Sequence, residues 1–292
     1  MKIQSGTRKM SHKALVGLTT VLLAFGASAQ AGPPWLRLSG ELGAGYDDNL
    51  NNARGSNTRR NSALERASIA AEKSWPLSSL QSLKLQASAA AEVVNQYSPL
   101  NSAHYQVLGS YRLRAGRGFY APTLTANAAL ARRDSRSALR DSSEQAYGLA
   151  ATLALSTRIN GRIGLDYSHQ RARASAFSGD SGSVSLLLDY ALTPQWLATA
   201  GWQFRRGTFA STIGPGALPP AGATNVVADD AYGAGGLAFR QHGKANIFSA
   251  GLNLGLTPQW ALEVQGRFAE VASDQQLHYQ RWQSVASLLW RY

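Results

Sequence analysis

The chain has no cysteine in 292 residues. That excludes disulfides, thiolate metal sites and acylation of a lipoprotein cysteine. Charged residues make up only 16% of the chain, and past residue 31 no apolar run approaches the roughly 20 residues that a spanning helix needs. A mature chain of this kind enters a bilayer only as a closed barrel, because every backbone amide and carbonyl must find a partner there. Acid is missing from the N-terminus. Lys2, Arg8, Lys9 and Lys13 precede an apolar stretch over residues 14–27 and then Ala29-Gln30-Ala31. This order predicts a secretory signal peptide over residues 1–31, with the mature domain over 32–292; the apolar stretch is too short for a retained anchor.

What the mature chain has is alternation. In its last twelve residues Trp282, Ala286, Leu288, Trp290 and Tyr292 share one face, while Arg281, Gln283, Ser287 and Arg291 share the other. A strand between lipid and a polar interior requires that period of two. An exposed Trp- and Leu-rich edge strand on a soluble sheet would invite aggregation. About twelve alternating segments recur, over residues 35–48, 62–75, 82–97, 105–114, 120–133, 145–156, 161–173, 183–192, 196–209, 245–256, 260–269 and 279–292. The fold class expected is all-β, a transmembrane antiparallel up-and-down barrel of about 12 strands, or 14 if the longest loop hides a hairpin. Such barrels sit in the outer membrane of Gram-negative bacteria, so the partners expected are outer-membrane lipid and the barrel-assembly machinery. Leu288, Trp290 and Tyr292 form the expected C-terminal assembly signal.

Connections alternate in length, which orients the barrel. Short ones include residues 76–81, 115–119 and 157–160 and the repeated Leu192-Thr193-Pro194-Gln195-Trp196 and Leu256-Thr257-Pro258-Gln259-Trp260. In these repeats Pro fixes a turn and Trp anchors the next strand at the interface. Longer connections fall on the other, extracellular side, and residues 211–244 are the outlier. With Gly214-Pro215-Gly216 and Pro219-Pro220 this stretch is too long for a simple hairpin, and is expected to enter the lumen, cover the mouth or remain a disordered loop.

The mature chain carries 25 Lys and Arg against 17 Asp and Glu, a net charge of +8. The basic residues are spread through alternating segments instead of clustering, so no nucleic-acid partner is expected. Facing inward are Arg37, Lys84, Arg112, Arg114, Arg133, Arg162, Arg205, Arg267 and Arg281, against Glu41, Glu92, Asp166, Asp189 and Glu263. All of these except Arg133 and Arg281 are the candidate pore lining. They predict either an anion-preferring pore or a lumen plugged by its own ion pairs.

Catalysis has little to stand on. The mature chain keeps His104, His169, His242 and His278, and no Gly-x-Ser-x-Gly elbow or His-Glu-x-x-His pair is present. Neighbouring Ser168 and His169 point to opposite faces of one strand. No enzyme, cofactor or metal site is expected. Asp47-Asp48-Asn49 lacks the Gly and Glu of an EF-hand loop and suits a strand end followed by a turn.

The segment Gly43-Ala44-Gly45-Tyr46-Asp47-Asp48-Asn49-Leu50-Asn51-Asn52-Ala53 resembles the opening of the C-terminal barrel in the surface lipoprotein assembly modifier family. Gly45, Tyr46, Asp47, Asn49 and Asn51 carry the likeness. Similar openings occur in barrels of exopolysaccharide systems. The family resemblance implies translocation of a lipoprotein client to the cell surface. The tetratricopeptide repeats usual in that family do not precede this barrel, so client recognition would fall to a separate periplasmic partner. The alternatives are a channel for small anionic or saccharide solutes or exported polysaccharide, and an outer-membrane enzyme.

Overall fold

The computed structural model describes residues 36–55, 58–274 and 277–292; the expected signal peptide lies outside them. Thirteen strands run in chain order: β1 (Arg37–Asp47), β2 (Ser62–Pro76), β3 (Gln81–Val94), β4 (Ser102–Arg114), β5 (Thr123–Ser135), β6 (Ser142–Ala154), β7 (Ile159–Ala172), β8 (Gly179–Ala191), β9 (Trp196–Ile213), β10 (Thr224–Asp229), β11 (Gly236–Gly255), β12 (Trp260–Ser273) and β13 (His278–Arg291). Each pairs antiparallel with its neighbours, β13 returns to β1, and β9 pairs with β11, so twelve strands close a ring and β10 stands outside it. The twelve expected segments all fall on strands of the ring. The long connection holds one added strand in place of a hidden hairpin.

Closure leaves no free edge through the membrane. At the seam, Tyr292 and Leu38 exchange backbone hydrogen bonds of 2.8 and 3.1 Å, and pairing then runs from Ser39↔Arg291 to Asp47↔Gln283. Alternation along each strand sorts the side chains. Leu85, Val107, Leu149, Leu165, Leu188, Leu252 and Val264 are all exposed, a belt that only lipid can cover. Tyr105, Tyr147, Tyr167 and Trp282 rim this belt toward the long connections, and Tyr190 and Trp196 toward the short ones.

The register is staggered. From Arg37, near the periplasmic end of β1, the line of paired residues passes through Glu72, Gln86 and Leu108 and reaches Gly207, Gly243 and Ser273 near the extracellular ends of β9, β11 and β12. Strands in such a ring are tilted, so residues paired across the sheet sit progressively nearer the extracellular rim.

β9 and β11 have 18 and 20 residues, more than the roughly 9–11 that cross the hydrocarbon layer. Beyond the facing glycines Gly207 and Gly243 they continue as a hairpin, and β10 pairs with β11 there, along the edge that β12 has left. Both glycines are required by close approach: a Cβ on Gly207 would lie 2.6 Å from Ser181 Cα, and one on Gly243 would lie 2.5 Å from the Ala272 carbonyl.

Leu252 faces lipid, and its neighbour Asn253, paired with Glu263, faces the lumen. Leu252→Arg should therefore lower folding stability in lipid vesicles by about 2–4 kcal/mol, while Asn253→Arg leaves it nearly unchanged. Equal losses in a denaturant titration would refute the assignment of the two faces.

Candidate functional site

The ends of β9 and β11 beyond Gly207 and Gly243, together with the connection between them, touch all five of the other extracellular connections. Asn51 and Thr212 exchange backbone and side-chain bonds of 2.9 and 3.2 Å, and Asn52 donates to the Ala210 carbonyl at 2.9 Å. Tyr232 packs edge-on against Tyr97, with 5.0 Å between ring centres. Ser137 bonds Asp230 at 2.5 Å, and Arg140 bonds Asp229 at 2.7 Å. Arg240 reaches the Ser178 carbonyl at 3.4 Å, and the Asp274 amide bonds the His242 carbonyl at 2.9 Å. A segment in contact with five connections around a ring must lie across its mouth. Residues 211–242, which lie beyond the last pairing of β11 with β12 at Gly243, therefore form a cap, and Ala238, Phe239 and Gln241 within it have no exposed surface.

Asp229 is the hub of this cap. Its buried carboxylate accepts from Arg140, from the Thr212 hydroxyl at 2.7 Å and from the Ala231 amide at 3.0 Å. The Arg140 guanidinium lies 4.1 Å from the ring centre of Phe177 and 5.9 Å from that of Tyr232. Burial pushes the Tyr232 phenol well above its ordinary pKa, so it stays neutral.

The Tyr46-Asp47-Asp48-Asn49 segment holds the seam to the cap. Asp47 is buried and accepts from Arg281, from Gln283 at 2.7 Å and from the Asn49 amide at 3.0 Å. Asn49 donates to the carbonyls of Ala53 and Gln280 at 3.0 and 2.8 Å, and Asn51 Oδ1 accepts from the Arg60 amide. Asn52 sits at φ +53°, a left-handed turn that Asn tolerates. Tyr46 faces outward, half-exposed, while Gly45 lies against β13, where a Cβ would come 2.9 Å from Val285. At the other end of the seam Leu288 pairs with Leu42, and Trp290 stacks on Tyr292.

Beneath the cap lies a cavity of about 1050 Å³. It continues into a second space of about 600 Å³ walled by the periplasmic turns, and the two share Ser82, Arg112, Thr123 and Thr152. Of the candidate lining residues, Arg37, Lys84, Arg112, Arg162, Asp166, Arg205 and Arg267 border the main cavity, and Arg114 borders the periplasmic space. Glu92, Asp189 and Glu263 stand on the inward face of their strands outside both linings, and Glu41 accepts from Ser287 at 2.9 Å. Lys84 pairs with Glu72 at 3.2 Å on the neighbouring strand. Glu72, Glu144, Gln203 and Phe209 also border the cavity; sequence periodicity had passed over them, Glu72 because its segment alternates least cleanly.

Near the cap the cations outnumber their partners. Arg205 lies over Phe209, with 5.3 Å from guanidinium carbon to ring centre, and its Nε has no hydrogen-bond partner. Arg267 is within Coulombic reach of both Arg205 and Arg281. Of these three only Arg281 forms an ion pair among the described residues, with Asp47. Ala245, Ile247, Val271 and Tyr279 form a small apolar core on the wall close by.

Ser168 and His169 diverge as expected. Ser168 bonds Ser181 on the lumen face, whereas His169 bonds Asp180 at 2.5 Å on the outer face. No group of three metal-ligating side chains occurs among the described residues.

No protein-family model matches the sequence, and no curated protein matches it either. Among solved structures, an outer-membrane channel from Pseudomonas putida F1 superposes with a TM-score of 0.60 at 10% identity, over 91% of this chain and 98% of that one. KdgM porin, solved in complex with disordered oligogalacturonate, gives 0.47 at 9% identity over 86% and 98%. NanC porin gives 0.44 at 7% over 86% and 98%. The closed ring, the lipid-facing belt and the first of these superpositions agree: the chain folds as an outer-membrane β-barrel.

Removing Arg140 would strand the Asp229 carboxylate without its cation, a change that costs about 3–5 kcal/mol for a buried pair. Arg140→Ala should therefore loosen the cap and speed chymotryptic cleavage after Tyr232, read by mass spectrometry of the folded barrel. Unchanged protection would show that the hub does not hold the cap down.

Proposed function

We propose that this protein is an outer-membrane channel for anionic solutes, acidic saccharides among them, with a lumen that the cap closes at its extracellular mouth. One observation carries this reading. The main cavity is bordered by six cations, Arg37, Lys84, Arg112, Arg162, Arg205 and Arg267, against three carboxylates, Glu72, Glu144 and Asp166. Walls of low dielectric focus such an excess, so anions concentrate in the lumen and cations are turned away. A solute passing from the periplasmic turns meets Arg114 and Arg112 first and Arg205 and Arg267 last. Opening the path requires the cap to lift from the five connections that it touches.

Passage of a lipoprotein client, or of exported polysaccharide, is the second reading, and it rests on the resemblance at Gly45, Tyr46, Asp47, Asn49 and Asn51. Four of these hold the seam and the cap in place, and that favours a shared architecture over a shared client.

Planar-bilayer recording of the refolded mature barrel separates the readings. The intact protein should conduct little, and a variant with residues 214–235 replaced by a tight turn should conduct steadily with anion selectivity. Adding Arg205→Gln and Arg267→Gln to that variant should lower the anion-to-cation permeability ratio roughly tenfold. Cation selectivity, or silence after the replacement, would overturn the channel reading and redirect attention to an exported client.

A further inference from the structure

The outer face of the wall carries a second, separate concentration of positive charge. Arg206 on β9 and Lys244 on β11 are register partners, both exposed, and lie on the outward face next to Gly207 and Gly243. Side chains directly opposite in an antiparallel pair start only about 5 Å apart, and like charges there repel. Neither residue forms an ion pair with a carboxylate among the described residues. Asp180, on the strand beside β9, is engaged by His169 and by Tyr167 at 3.0 Å. Glu270 pairs in register with Asn246, one diagonal step from Lys244, and forms no ion pair with it.

The surroundings leave this pair open. Gly182 flanks Arg206 on β8 and Ala272 flanks Lys244 on β12, so no bulky side chain shields either cation. Phe204 and Phe248 lie on the same outward face toward the hydrocarbon belt, and Tyr167 closes the row beyond Gly182. Because the register climbs from β1 toward β13, Arg171 on β7, four residues beyond Tyr167, stands at nearly the height of Lys244 and extends the cationic arc around the wall. The arc sits just above aromatic side chains on the extracellular side, which is headgroup depth for the outer leaflet.

We propose that Arg206 and Lys244 bind the phosphate of an outer-leaflet lipopolysaccharide. A phosphate between the two cations relieves their mutual repulsion through charge-assisted hydrogen bonds, while the acyl chains lie along Phe204, Phe248 and the aliphatic residues below. The small flanking residues leave room for the sugar that bears the phosphate.

The test uses the mature barrel refolded in phosphatidylethanolamine vesicles containing either diphosphoryl lipid A or the same lipid fully dephosphorylated. After detergent extraction and capture of the barrel, the retained lipid is measured by mass spectrometry. The wild type should retain the phosphorylated form roughly thirtyfold better than the other, the effect of two cations at a membrane surface. The Arg206→Gln/Lys244→Gln variant, its folding checked by heat-modifiable gel migration, should lose most of that preference. Equal retention of the two lipids by the wild type would overturn the proposal without recourse to any variant. Undiminished preference in the folded double variant would overturn it as well.

Discussion

Everything in this molecule depends on the seam where the last strand meets the first. In a bilayer an unpaired strand edge has no water to turn to, so a sheet of twelve strands is tolerable only if β13 finds β1 in one register. The apolar faces alone do not select that register, since a slip of two residues would keep every side chain on its proper side. Asp47 supplies the missing constraint. Buried and charged, it is satisfied only when Arg281 and Gln283 stand opposite it and the Asn49 amide turns back toward it. A shifted register would leave a carboxylate stranded, and a stranded buried charge costs several kcal/mol.

The stagger fixed by that seam also explains why the wall is taller on one side. With the register climbing around the ring, β9 and β11 are the strands that overshoot, and the facing pair Gly207 and Gly243 lets them pass close to Ser181 and Ala272 as they do so. Past this point the hairpin has left the bilayer and has polar backbone to satisfy. It satisfies it on the connections around the mouth and by pairing with β10. Asn51 and Asn52, at the end of the strand that forms the seam, reach Thr212 and Ala210 in the cap. Closure of the ring and closure of the mouth thus share one short stretch of sequence.

That division sets what was legible in advance. The period of two marks lipid-facing and lumen-facing residues because the two solvents differ so strongly, and Leu252, Asn253, Trp282 and Arg281 fall on the expected sides. Inward cations such as Arg205 and Arg267 were legible for the same reason. The cap was not. Its stability comes from contacts between residues far apart in sequence, Arg140 with Asp229 and Tyr97 with Tyr232, and neither partner carries a local pattern that names the other. β10 has only six residues and a register shift between Thr224 and Val227, too little alternation to stand out from a Gly- and Pro-rich stretch. Glu144, expected in a loop, belongs to β6 and borders the cavity, because that strand begins at Ser142.

The chemistry of the hub bears on what the cap can do. An apolar cap of the same size would be held by the hydrophobic effect, and lifting it would expose oily surface on both parts. A buried ion pair behaves otherwise. Its two charges give up hydration when the cap seats, and that loss offsets much of their attraction. When the cap lifts, Arg140 and Asp229 recover water, so the ion pair itself adds little to the cost of opening. The closed state is then specified by geometry, through the Thr212 hydroxyl, the Ala231 amide and the Phe177 face, more than by depth of the energy well. An anion arriving beneath the cap would meet Arg205 and Arg267, whose like charges gain a shared counter-ion. Binding there and release above draw on the same electrostatics, and this is the physical sense in which a charged lumen and a charged latch belong together.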